Sequence, residues 1–140
     1  MAHQTTKVGV SNIFVDENGH LLLMKRSENC TTFPGYWGLV GGFIDPGETP
    51  KEACIRESQE EIGVKIEVIR FIGRYYNTPT PHYQNVISLP HYSKILSGTP
   101  HPAQLEECSD VRWFLPEEVR SMELAYDHKQ ILVDERLINQ

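Results

Sequence analysis

Glu57, Glu60 and Glu61 are spaced so that one helix would carry all three carboxylates on a single side. At about 100° per residue they fall within an arc of roughly 100°, while Ile55 and Ile62 fall nearly opposite and are expected to face the core. Like charges packed this closely repel one another unless something neutralises them. Hard divalent cations do so directly, because they take oxygen ligands. A solvated acidic face is the plainer reading of a Glu-rich helix. Against it stands the run Gly38-Leu39-Val40-Gly41-Gly42 just upstream. Such a run reads as a tight turn in which backbone N–H groups approach phosphate oxygens. Together the two features point to a metal-phosphate site.

The helix that must carry these groups is well marked at both ends. Thr49 suits an N-cap, Pro50 the first helical position, and Glu52 completes a T-x-x-E capping box. Gly63 is placed to end the helix in a left-handed conformation. The spacing predicts a helix over 50–62, roughly 20 Å long.

Around it, Lys7–Val15 and His20–Arg26 read as strands, and Asn18-Gly19 between them as a hairpin turn. Trp37–Val40 reads as a short strand, with Trp37 packed beneath the glycine turn. Val64–Tyr76 and Gln84–Ile95 read as longer strands joined by the loop Asn77–Tyr83, with an edge or bulge at Pro90. Val111–Leu115 is another strand, Pro116-Glu117-Glu118 a helix start, and Tyr126–Ile138 a terminal helix. Strands with one central and one terminal helix imply an α/β fold, a sheet sandwiched between helices.

Bulk properties narrow the field further. A length of 140 residues suits one domain, 1–140. A net charge of −6 disfavours broad attraction to nucleic acid. An anionic substrate then needs local positive charge, which a metal ion supplies. Cys30, Cys54 and Cys108 form no CxxC pair, so they read as reduced, packed thiols. Met1–Thr6 shows no signal pattern and no apolar run nears membrane-spanning length, so a cytoplasmic protein without membrane partners is expected.

Residues 42–64, GFIDPGETPKEACIRESQEEIGV, resemble the Nudix box GX5EX7REUXEEXGU, where U is a bulky aliphatic residue. Gly42, Glu48, Arg56, Glu57, Glu60, Glu61 and Gly63 meet its fixed positions, and Val64 its last aliphatic one. At average residue frequencies, seven matches arise by chance about once in 10⁸ starting points. Ser58 departs from the middle aliphatic position, and Val40 stands where many members have proline. A looser similarity, including Trp37-Gly38 and Val111-Arg112-Trp113-Phe114, extends over most of the chain.

The resemblance implies a Nudix-like α/β/α sandwich with a mixed β-sheet and a loop-helix-loop catalytic motif. It implies that Glu57, Glu60 and Glu61 coordinate Mg²⁺ or Mn²⁺, with Gly42 presenting backbone beside the metal. Arg56 joins them in the catalytic group, and its pairing with Glu48 braces loop against helix. Arg26 resembles an arginine directed at substrate phosphate, although a solvated strand end reads equally well. Tyr83 is the preferred substrate-contacting aromatic, with Phe33, Tyr36 and Tyr76 as weaker candidates for stacking on a base. Glu106 and Glu107 lie where some members add a carboxylate, although exposed loop acids read at least as well.

The substrate implied is a small nucleotide. The position of a proline in an ADP-ribose subgroup is Thr80 here, flanked by Pro79 and Pro81. Dinucleoside polyphosphate hydrolases carry a tyrosine near Tyr83. The SQPWPFP signature of NADH pyrophosphatases is absent. ADP-ribose or another nucleotide sugar is therefore favoured. Nucleoside triphosphates and dinucleoside polyphosphates are the alternatives, and a non-catalytic nucleotide sensor is a third.

Overall fold

The computed structural model describes residues 5–140, leaving the first four residues of the Met1–Thr6 segment outside the description. Strand β1 (Thr6–Ile13) leads through a turn to β2 (Leu21–Arg26). Strands β3 (Trp37–Gly38) and β4 (Val40–Phe43) precede helix α1 (Pro50–Ile62). After it come β5 (Lys65–Phe71), β6 (Tyr76–Asn77), β7 (Asn85–Ser97) and β8 (Cys108–Phe114). Helices α2 (Pro116–Arg120) and α3 (His128–Asp134) close the chain.

Two sheets are formed. One is mixed, in the order β4-β1-β7-β5 with β6 also on β7, and the other is β3-β2-β8. Among the described strands, β1 and β7 form the one parallel ladder, with Thr6 opposite Asn85 and Ile13 opposite Tyr92. The expected Asn18-Gly19 turn is present, with Gly19 at φ 82, and Asp16 and His20 bonded across it. Its two strands nevertheless part. Val15 and Leu21 form a single bridge, after which β1 and β2 enter different sheets.

The strand expected at Trp37–Val40 divides similarly. Trp37–Gly38 joins the smaller sheet, and Val40–Phe43 joins β1 in the larger one. The glycines read as a turn are thus strand residues, with Gly41 opposite Ser11 and Gly42 opposite Val10.

Alternation along β2 shows why the two layers hold. Leu22 and Met24 enter a core with Val10, Phe14, Val40, Ala53, Cys54 and Ile62, while Leu21 and Leu23 enter a second core with Ile131 and Leu132. The strand is buried on both faces, so its sequence is an unbroken apolar run. Helix α1 covers the first core, and α2 and α3 cover the second. This is an α/β sandwich. Among the described residues no helix is long and apolar enough to cross a membrane.

Four further expectations need correction. Ile55 is 40% exposed, whereas Ala53, Cys54, Ser58, Glu61 and Ile62 form the buried face of α1. Small residues let the helix approach the sheet closely, turning the core arc toward Glu61 and leaving Ile55 on its rim. The strand expected over 64–76 breaks after Phe71 and resumes at Tyr76. Pro90 is at no edge: it sits in β7 between the stretches paired with β5 and β6, and its carbonyl accepts the Ile72 N–H. The terminal helix has seven residues, because Tyr126 (φ 51) and Arg136 (φ 61) are left-handed and cannot extend it.

Candidate active site

The helix caps assemble as their residue types require. The Thr49 hydroxyl accepts the Glu52 N–H at 3.1 Å, and the Glu52 carboxylate accepts the Thr49 N–H at 2.9 Å. Gly63 closes the far end at φ 69, its N–H donating to Gln59. The loop between β7 and β8 satisfies two more helix carbonyls: His101 N–H donates to Ile62 and Ala103 N–H to Glu61.

Within this frame, Arg56 ties helix to loop. Its Nε donates to Glu48 Oε2 at 2.7 Å and its Nη2 to Glu48 Oε1 at 2.9 Å, a two-pronged pair. Nη2 also donates to the Phe43 carbonyl at 3.0 Å. Nη1 reaches Glu57 at 2.7 Å and Glu60 at 3.2 Å. Glu48 has its own tie to the loop, accepting the Asp45 N–H at 2.9 Å. The Arg56 hydrogen bond holds the Glu48 carboxyl below its ordinary range.

The three box carboxylates are not equivalent. Glu60 is exposed, Glu57 is half-buried and Glu61 is 5% exposed. Burial raises the Glu57 carboxyl despite Arg56 beside it. Burial raises Glu61 further, and the charge of Glu57 adds to the effect. One N–H counters it, from Gly41 to Glu61 Oε1 at 3.2 Å. That donor was expected to face phosphate, and instead it holds a carboxylate.

Close approach explains both glycines. A Cβ on Gly41 would lie 2.0 Å from the Val10 carbonyl oxygen, and one on Gly42 would lie 2.5 Å from Glu57 Oε2. Gly42 thus makes room for a carboxylate. With Glu57 and Glu60 both turned to Arg56, no three acidic, histidine or cysteine side chains among the described residues gather closely enough to hold an ion as they stand. Two buried, mutually repelling carboxylates with an exposed third beside them still form a hard-oxygen donor set suited to Mg²⁺ or Mn²⁺.

These carboxylates border a cavity of about 470 Å³. Arg26 and Tyr83, both expected to meet substrate, line it, as do Glu106 and Glu107. Tyr83 packs edge-on against Phe43 at 5.8 Å, beneath Lys7. Its loop is pre-shaped, because the Thr80 hydroxyl accepts the N–H groups of His82 and Tyr83. Arg26 is anchored by Nε and Nη2 to the Thr32 carbonyl at 3.0 and 2.9 Å. Phe33, Tyr36 and Tyr76 do not line the cavity. Tyr76 instead donates to Asp134 on α3.

The sequence reading missed Tyr126 and His128. Tyr126 packs against Phe33 at 4.7 Å, with the Arg26 guanidinium 5.4 Å from its ring, and its hydroxyl bonds Thr32. His128 accepts the Leu39 N–H on Nδ1 at 2.9 Å. Burial, with the charge of Arg26, pushes this histidine down to about 3. Neither residue belongs to a local motif, and only the tertiary structure places them in the cavity wall.

The NUDIX domain family matches residues 5–134. The chain is 33% identical to a MutT-like protein of Streptomyces ambofaciens, over 80% of this chain and 66% of that protein. It is 30% identical to an ADP-ribose pyrophosphatase of Methanocaldococcus jannaschii, over 86% of this chain and 68% of that protein. It spans only 38% of the NAD-capped RNA hydrolases that it also matches. A MutT protein from Methanosarcina mazei superimposes with a TM-score of 0.81 at 26% identity, covering 98% of this chain and 96% of that one.

Proposed function

The chain belongs to the Nudix hydrolase family, and from that premise we propose that it splits the diphosphate linkage of a small nucleotide derivative, preferentially a nucleotide sugar such as ADP-ribose. The observation that carries this reading is the pair of buried carboxylates, Glu57 and Glu61, each raised by burial at the wall of a nucleotide-sized cavity. Acids crowded together and raised by burial at a cavity wall are costly and mark sites of chemistry. The similarity to an ADP-ribose pyrophosphatase and the prolines of the Tyr83 loop support the choice of substrate.

Glu57, Glu60 and Glu61, with backbone at Gly42, would hold Mg²⁺ or Mn²⁺, which when bound supplies charge neutralisation and activates water. Arg56 holds Glu48 and Glu57, and so fixes the loop and one carboxylate. Arg26, on the wall of the same cavity, brings positive charge to the phosphates. Tyr83 packs against one end of the substrate. Water attacks one phosphorus and the P–O–P bond breaks, so ADP-ribose yields AMP and ribose 5-phosphate. The proton from water passes to a carboxylate of the cluster, whose raised proton affinity suits it to that step.

The test compares kcat/KM for ADP-ribose, a dinucleoside polyphosphate and a set of nucleoside triphosphates, with Mg²⁺ and with excess EDTA. ADP-ribose should lead, EDTA should abolish turnover, and Glu60→Gln should lose about 10²-fold or more in activity without losing thermal stability. Full turnover in EDTA, or a Glu60→Gln variant of normal rate, overturns the metal reading. A clear preference for triphosphates overturns the substrate alone. Binding without hydrolysis of any compound would instead favour a sensor.

A further inference from the structure

We propose that His128 reads the nucleobase, its Nε2–H donating to an in-plane acceptor on a heteroaromatic base held beside Tyr126 and Arg26. This rests on the nucleotide reading above and extends it to the part of the substrate remote from the bond that breaks.

The ring of His128 is 7% exposed, and it borders the same cavity as the carboxylates. Its Nδ1 is committed, because it accepts the backbone N–H of Leu39 at 2.9 Å. A neutral imidazole that accepts at one nitrogen carries its hydrogen on the other. Nε2 therefore presents a donor, and no hydrogen bond within the described protein uses it. Nε2 is also not among the side-chain atoms sealed completely from solvent. This donor is nearly but not completely enclosed, and the cavity is where its partner can arrive.

The surroundings are built to hold this ring. A Cβ on Gly38 would fall 2.8 Å from His128 Nδ1 and 3.3 Å from Cε1, so only glycine lets the imidazole lie flush on β3. Burial keeps the ring neutral at ordinary pH. It therefore offers one donor of fixed position rather than a charge, which suits an uncharged base better than a phosphate.

Position agrees with chemistry. Arg26 is close enough to His128 and to Glu61 for its charge to act on both. His128, Arg26 and the carboxylates line one cavity, so a nucleotide that fills it can meet all three. Phe33 and Tyr126 reinforce the part beside His128. Both hold left-handed backbone, at φ 49 and 51, and their rings pack at 4.7 Å. Strained backbone of this kind persists where function fixes the geometry.

The experiment measures Kd by calorimetry with Mg²⁺, on ligands whose bridging P–O–P oxygen is replaced by methylene, so that binding is read without turnover. The ligands are ADP-ribose and its 1-deaza-, 3-deaza- and 7-deazaadenine analogues in this form, each analogue lacking one ring-nitrogen acceptor. One analogue should bind the wild-type protein about tenfold more weakly than ADP-ribose, the loss expected when a site's buried donor is left unpaired. That penalty should vanish in His128→Phe, which keeps an aromatic ring and removes the donor. His128→Met, whose thioether keeps a weak acceptor for the Leu39 N–H and carries no donor, guards against a variant that fails to fold and should behave in the same way. Equal binding of all four ligands by wild type, a penalty that persists in both variants, or no binding at all overturns the proposal. Selective binding joined to failure of hydrolysis with Mg²⁺ leaves His128 in place and overturns only the hydrolase reading.

Discussion

Ser58 occupies a position where the Nudix box has an aliphatic side chain, and the structure shows the consequence. It is fully buried on α1, and its hydroxyl has no hydrogen-bond partner. A hydroxyl taken out of water without a partner costs on the order of 1–3 kcal/mol. Ser58→Ala removes that cost and leaves almost no cavity. Chemical denaturation should therefore show stability unchanged or raised by up to about 1 kcal/mol, with turnover within a few-fold of the parent. A loss of stability would mean that the hydroxyl is satisfied in solution. The residue scale was the most legible. The pairing of Arg56 with Glu48, implied by the Nudix resemblance, is present, whereas the room Gly42 makes for Glu57 emerges only from the fold. Ile55 was misjudged because helical angles alone do not say which arc meets the sheet. Ala53, Cys54 and Ser58 decide that by being small, not by being hydrophobic.

Among the elements, α1 was read to its last residue, because Thr49, Glu52 and Gly63 are local signals that act through their own backbone. The ends of α3 were not, because left-handed Tyr126 and Arg136 carry no glycine to announce them. Gly63 also has a second constraint that no helix rule contains. Besides its φ of 69, a Cβ there would meet His101 Cε1 at 2.4 Å. Gly63→Ala should therefore cost about 1–3 kcal/mol, from the left-handed backbone and from displacement of the His101 loop. That loop leads to Glu106 and Glu107, so activity should fall as well. Thermal melts of Gly63→Ala with and without His101→Ala separate the two costs. The second substitution should recover the contact part and leave about 1 kcal/mol. An additive pair of losses would show that the ring is not the obstacle.

For the molecule as a whole, layers were legible and their connection was not. Turn chemistry at Asn18-Gly19 fixes a reversal of the chain, but it does not say that the strands entering and leaving will join different sheets. That choice belongs to β7, which takes the far side of β1 in parallel with Thr6 opposite Asn85. Contacts between segments this distant in sequence carry a large loop-closure cost before they return any stability. Refolding should accordingly fall in the millisecond-to-second range, which stopped-flow fluorescence of Trp37 and Trp113 would follow, whereas a microsecond phase of full amplitude would contradict it. During synthesis, the glutamate-bearing helix leaves the ribosome well before β7 and before the loop that caps its last carbonyls. The carboxylate face proposed to hold the metal is made early as sequence and late as structure.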